Sequence, residues 1–220
     1  MHEFRVQVGP AAFRIGSAWR APIDQLAHLY RDYPQPDFTD FTVRLEPTTW
    51  LRRWLRPSVA IGGDYMLPDA APLPLAQGLL AAEMAMNLQM ALGWRRHLLL
   101  HASAVERDGR VLVMTGQSGS GKSTLSALLG SEGWRFLGDE FVLLDPVTGN
   151  VVPFPRLISL KNEAIAAMQS AQPDARFGPL LAGTPKGDIR HVVPPADAIA
   201  QMGQGGAPAL LLFPRYGYPG

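Results

Sequence analysis

Hydrophobic and polar positions alternate in short runs over the first part of the chain. Residues 4–8 and 38–45 are predicted strands, the second reading Phe-Thr-Asp-Phe-Thr-Val-Arg-Leu. Ala21-Pro22-Ile23-Asp24 opens a helix running to about Asp32, with proline in the first turn, where its missing N–H is not needed. Trp50, Leu51, Trp54 and Leu55 repeat at helical spacing and Pro57 ends the segment, which predicts core or domain-contact side chains. Three prolines in residues 68–74 predict a linker, and a helix over 75–92 follows it. From His97 the pattern changes. Residues 98–105 read as one buried strand and 107–110 as a hairpin turn, with a second strand over 111–115. A helix over 122–129 is closed by Gly130 and Gly133. A strand over 134–137 ends at Gly138-Asp139-Glu140, and 141–154 read as a hairpin turning at 145–150. Residues 209–216 read as a strand followed by a turn, four residues before the last one given, Gly220.

Composition narrows the classes. Hydrophobic residues make up 47% and charged residues 18%, which suits a folded globular chain rather than long disorder. A formal net charge of +1 gives no reason to expect nucleic acid or an anionic membrane as partner. The absence of cysteine excludes disulfides, thiolate metal sites and thiol nucleophiles. The start, Met1-His2-Glu3-Phe4-Arg5, lacks a basic region followed by an apolar run. The most apolar stretch, residues 73–94, contains Gln77, Glu83, Asn87 and Gln89, which predicts a buried helix rather than a membrane span. A cytoplasmic location is the expectation. Of the 20 basic residues only Lys122, Lys161 and Lys186 are lysines, so arginine is the general surface cation. The compact ammonium of Lys122 is therefore notable where a phosphate is to be met.

Gly116-Gln117-Ser118-Gly119-Ser120-Gly121-Lys122-Ser123 is a complete G-x-x-x-x-G-K-S, preceded by a β-branched strand and followed by a helix. The glycines let backbone N–H groups turn inward as an anion nest, and the helix directs its positive end at the same place. The expected ligand is ATP with Mg²⁺. Lys122 would bridge the β- and γ-phosphates, Ser123 would ligate the metal, and Thr124 could support the α-phosphate. Asp139 and Glu140, at the end of the next strand, are the expected carboxylates, one for Mg²⁺ and one to take the proton of an attacking hydroxyl. His101, after three leucines, reads either as a core residue or as a group orienting Asp139.

Leu100-His101-Ala102-Ser103-Ala104-Val105, a turn, Val111 to Thr115, the glycine loop and then Phe136-Leu137-Gly138-Asp139-Glu140 resemble the HPr kinase/phosphorylase superfamily, in particular the HPr-kinase-related kinases. The resemblance covers residues 97–162 well and the rest poorly. It implies that His101 is the histidine beside the catalytic acid, that Asp139 is the base, and that Glu140 stands for the second aspartate, which helps bind metal. Pro153-Phe154-Pro155-Arg156-Leu157-Ile158-Ser159-Leu160-Lys161-Asn162 is similar to a segment near the nucleotide in related kinases, which adds Arg156 and Lys161 as nucleotide-site candidates. The Glu-x-Arg-Gly-x-Gly signature tied to phosphorolysis is missing. Thr184-Pro185-Lys186-Gly187-Asp188-Ile189-Arg190-His191 stands in its place, so a one-way kinase is expected. The end of the chain suggests a fragment or a shortened member, with no role assigned to Lys186, His191 or Arg215.

The predicted fold class is α/β. A small α+β module over 1–70 precedes a domain over 74–220 whose mixed sheet carries the loop, as in the C-terminal domain of HPr kinase. The expected function is transfer of the γ-phosphate to a hydroxyl, serine first, of a small carrier protein or peptide. A small-molecule kinase and a nucleotide-binding switch without phosphotransfer are the alternatives. The family implies homo-oligomers, and nothing in the residues sets a number.

Overall fold

A computed structural model describes residues 1–67 and 70–215. The chain is mixed α/β and divides into two compact units. One holds Met1–Gln7 and Ala11–Arg95, and the other holds Val8–Pro10 and the chain from Arg96 onward. The division therefore falls after residue 95, a correction to the boundary expected at 70–74. Of that proline-rich stretch, Pro68 and Asp69 lie outside the described residues.

The first unit runs β1 (His2–Val8), β2 (Ala11–Ser17), α1 (Arg20–Leu29), β3 (Phe41–Pro47), β4 (Ser58–Gly63), β5 (Leu73–Pro74) and α2 (Gly78–Gly93). Its sheet has the order β1-β2-β3-β4-β5. Strands β2 and β3 are parallel and joined through α1, whereas β3–β4 and β4–β5 are antiparallel. Pro22, Ile23, Leu26 and Leu29 are the buried residues of α1, at the spacing of one helical face. Helix α2 packs on β3, β4 and α1. That contact is why it belongs with the first unit and not with the glycine loop. Its buried polar groups are satisfied, since Tyr30 Oη donates to Glu83 at 2.9 Å and Gln89 exchanges two 2.9 Å bonds with the Tyr65 backbone. Among the described residues, no helix is long and apolar enough to cross a membrane.

The second unit continues with β6 (Leu98–Leu100), β7 (Ser103–Arg107), β8 (Arg110–Met114), α3 (Lys122–Ser131), β9 (Arg135–Gly138), β10 (Val142–Leu144) and β11 (Val151–Val152). Then come β12 (Ile158–Lys161), α4 (Glu163–Ala171), β13 (Phe177–Thr184), β14 (Gly187–Val192), α5 (Ala196–Ala200) and β15 (Ala207–Leu212). Three sheets result, ordered β15-β8-β7-β9, β11-β10-β6 and β12-β14-β13. Strand β8, which leads into the glycine loop, lies between parallel β15 and antiparallel β7. Period-two alternation splits its sheet between two cores. Val105, Met114 and Phe136 face a cluster with Ala127, Ile158 and Leu160, whereas Ala104, Val113 and Leu137 face one with Val142 and Val151.

The expected single strand over 98–105 is two strands in different sheets, β6 paired with β10 and β7 paired with β8 and β9. His101 sits in the bend between them, not on the strand paired to β8. The segment read as standing in place of the phosphorolysis signature is mostly a tight hairpin. Thr184 pairs with Gly187 across Pro185 and Lys186, and Thr184 Oγ1 donates to the Gly187 carbonyl at 2.6 Å. The turn expected at Tyr216 lies outside the described residues.

One buried polar bridge fastens β7, β9 and the segment after α5. Arg135 Nε donates to Glu106 at 2.8 Å, and its Nη1 donates to the carbonyls of Gln201 and Gln204. Both side chains are nearly covered. Replacing Arg135 with methionine would leave the Glu106 carboxylate buried and unpaired, so a loss of about 3–5 kcal/mol is expected in urea unfolding. A loss under about 1 kcal/mol would show the bridge to be incidental.

Candidate functional site

The site is built where β8 and β9 end beside α3. Residues 116–121 wrap around the start of α3, and Gly121 precedes it in the left-handed region at φ 91°. A side chain there would be strained, which is why the position takes glycine. The amides of Gly119, Gly121, Lys122 and Ser123 form no hydrogen bond within the chain among the described residues, while Ser120 N donates to Gln117 O at 3.2 Å. The loop thus presents a row of unused donors at a helix start, an arrangement suited to an anion. Lys122 is buried, and its Nζ donates to the carbonyls of Gly116 at 2.9 Å and Gln117 at 3.1 Å. The ammonium is held against the loop by neutral carbonyls, with no carboxylate within ion-pair distance among the described residues. Ser120 Oγ is buried and has no hydrogen-bond partner among the described residues, close to where a side chain on Gly116 would stand. Gln117, Ser118 and Gly119 are exposed, and Thr124 is half-buried in the first turn of α3.

Asp139 follows β9 and is buried. Its Oδ1 accepts from Ser103 Oγ at 2.5 Å and from Ser123 Oγ at 3.1 Å, and its Oδ2 has no hydrogen-bond partner among the described residues. Burial pushes the carboxyl above the ordinary carboxylate range, and the neighbouring Glu140 charge adds to the rise; the Ser103 and Ser123 bonds oppose it. Gly138, just before, is as small as its place requires, because a Cβ would meet the carbonyl oxygens of Phe141 at 2.9 Å and Phe154 at 3.2 Å.

Glu140 has φ 71°, a left-handed conformation uncommon outside glycine. The turn sends the adjacent carboxylates to different partners. Asp139 meets two serines, whereas Glu140 Oε2 lies 3.7 Å from His101 Nδ1, an ion pair when the imidazole is protonated. The expectation that His101 orients Asp139 is therefore corrected: the side chain it faces is Glu140. The reason is the bend between β6 and β7, which takes His101 off the strand. The side chains of His101 and Glu140 are 61% and 36% exposed, so this pair can be reached from outside and Asp139 cannot.

The remaining candidates lie outside the glycine loop and α3. Arg156 is buried with its guanidinium 6.0 Å over the Phe154 ring. Lys161 lies in β12 opposite Ile189, with no described hydrogen bond to the glycine loop. Lys186 occupies the β13–β14 turn, His191 is buried in β14, and Arg215 is exposed. Ser103 is the site residue that sequence reasoning passed over. Its one signal was a hydroxyl between Ala102 and Ala104, and its importance depends on β9 pairing with β7.

Among the described residues, no group of three His, Asp or Glu side chains converges as a metal cluster. Compared with known proteins, the chain matches no family model and no curated protein.

Proposed function

We propose that this chain is an ATP- and Mg²⁺-dependent kinase, related to the HPr kinases, that transfers the γ-phosphate to a hydroxyl of a small protein or peptide, serine first. The observation that carries this reading is the convergence of three groups: a loop of unused amides with a buried ammonium, a helix-start serine, and a buried carboxylate with one oxygen left over. A buried carboxylate oxygen with no donor is costly unless a cation meets it. Asp139, with Oδ1 on Ser123 Oγ and Oδ2 left over, thus fits a Mg²⁺ ion, which when bound would neutralise charge between phosphate oxygens.

Accessibility redistributes the two acids between the tasks. Asp139, bonded to Ser123 and closed off, suits the metal side. Glu140, open to solvent and beside His101, suits the acceptor side, where a carboxylate must reach a hydroxyl on another molecule. This reverses the roles expected from the family resemblance. Glu140 takes the proton of the attacking hydroxyl, and His101 steadies the carboxylate. Lys122 exchanges its bonds to Gly116 and Gln117 for phosphate oxygens, while the free amides of the loop hold the β-phosphate. The missing signature loop supports one-way transfer.

The reading is tested by incubating the chain with γ-labelled ATP, Mg²⁺ and an extract of the source cell. Label is expected on a polypeptide hydroxyl. Lys122→Ala should weaken ATP binding by roughly 10- to 100-fold, the worth of a charge-assisted bond, and abolish labelling. Label in a metabolite alone would make the chain a small-molecule kinase, and tight ATP binding with no labelled product would make it a switch. Unchanged affinity and turnover in Lys122→Ala would remove the nucleotide site altogether.

A further inference from the structure

In the first unit, residues 50–56 read Trp-Leu-Arg-Arg-Trp-Leu-Arg and bury none of their apolar side chains. Trp50 is 80% exposed, Trp54 77% and Leu55 63%. The expectation for these residues is core or a domain contact, and the core reading is overturned for the described structure. The segment keeps its shape through backbone bonds. Its 3-10 turn (Trp50–Arg53) is preceded by Thr49, whose side chain accepts from Arg52 N. Trp19 Nε1 donates to the Arg53 carbonyl at 2.9 Å, and Arg53 reaches back to the Ala18 carbonyl. The indoles and leucines are therefore not needed to hold the fold, and a patch of this kind on a surface marks a partner.

The charges say which partner. Arg52, Arg53 and Arg56 have no carboxylate within ion-pair distance among the described residues. Arg53 lies 5.2 Å over the Trp54 ring. Arg52 and Arg56 line a groove of ≈ 730 Å³ together with Pro57, Pro72, Leu73 and Pro74. A mostly apolar groove that also takes in two arginines, beside exposed indoles, matches an extended chain carrying both carboxylates and apolar side chains. A lipid surface is matched less well, because a bilayer cannot enter a concavity. A second copy docking face to face would set arginine against arginine. We propose that this groove and the Trp50–Arg56 segment bind an acidic, apolar-anchored peptide. The inference is independent of the kinase reading, since binding is assayed without nucleotide.

The test is selection of a displayed random dodecapeptide library on the full chain, followed by fluorescence anisotropy of the winners. Enriched peptides should carry Asp or Glu interleaved with Leu, Phe or Trp, quench tryptophan emission, and bind more weakly as salt rises. The double variant Arg52→Glu with Arg56→Glu should weaken them by roughly tenfold or more. Trp54→Ser, also at an exposed position, should weaken them without the salt dependence changing. Three results would overturn the proposal: no acidic enrichment, binding indifferent to the double charge reversal, or enrichment of basic peptides. Co-sedimentation with phosphatidylserine vesicles in the absence of peptide binding would equally overturn it, in favour of a lipid. So would concentration-dependent self-association that the charge reversals abolish while no peptide binds.

Discussion

Asp139→Asn should make the unliganded protein more stable while removing nearly all phosphoryl transfer. The two effects share one cause. The carboxyl is raised above its ordinary range by burial first, so the folded chain holds the proton more tightly than the unfolded chain does. Its contribution to stability is complete below the unfolded value, near pH 3.9, and is lost as pH rises through the folded value. Above the folded value the wild type therefore carries a destabilising buried carboxylate. Asparagine keeps an oxygen for Ser103 and Ser123 and removes the charge. Its melting temperature should exceed that of the wild type at pH 7, by about 2–4 °C per kcal/mol gained, and the difference should vanish in acid. With Mg²⁺ and ATP the order should reverse, because ligand binding stabilises only the form that binds. Transfer should fall on the order of 10³-fold, as when a preorganised electrostatic group is lost. Metal-dependent ATP binding in the wild type should weaken as pH falls through the raised value, since a protonated carboxyl does not ligate. A variant that is less stable at neutral pH and still transfers phosphate would refute both the burial argument and the metal-side role.

Glu140→Gln should separate binding from chemistry. Glu140 is reachable and makes no described contact with the glycine loop or with Ser123, so ATP affinity should change by less than about threefold, a cost under 1 kcal/mol. Turnover should drop by about 10² to 10⁴, the range for loss of a positioned general base. Calorimetry of ATP binding and a single-turnover transfer assay, run on the same preparation, measure the two quantities. His101→Gln should give a smaller loss in the same direction, because imidazole touches the carboxylate and not the acceptor. If Glu140→Gln transfers normally while Asp139→Asn retains full Mg²⁺-dependent ATP binding, the roles belong the other way round.

These two variants also mark where reading the residues in order stops being enough. The glycine loop, the helix behind it and the strand that returns two acids are local features, set by spacing within about two dozen residues, and they were legible. What separated Asp139 from Glu140 was not. Adjacent residues on a strand end look equivalent until the left-handed turn at Glu140 and the bend at His101 aim them apart. Ser103 became a partner of Asp139 through the pairing of β7 with β9, a contact 36 residues apart in sequence. The Trp50–Arg56 segment misled in the opposite sense. Helical spacing of aromatics describes a face, but whether another element covers that face is a long-range fact.

The order of residues by itself determined which chemistry the chain could offer: a Gly-x-x-x-x-Gly-Lys-Ser loop between strand and helix, an acid pair downstream, no thiol, and a mixed α/β pattern. Those properties follow from backbone freedom at glycine, hydrophobic period and side-chain type, which act over one or two elements. Only the tertiary structure decided which acid is sealed and which is open, which unit owns α2, and which aromatics meet water. Burial and charge environment are properties of surfaces brought together from distant positions, and no local pattern specifies them.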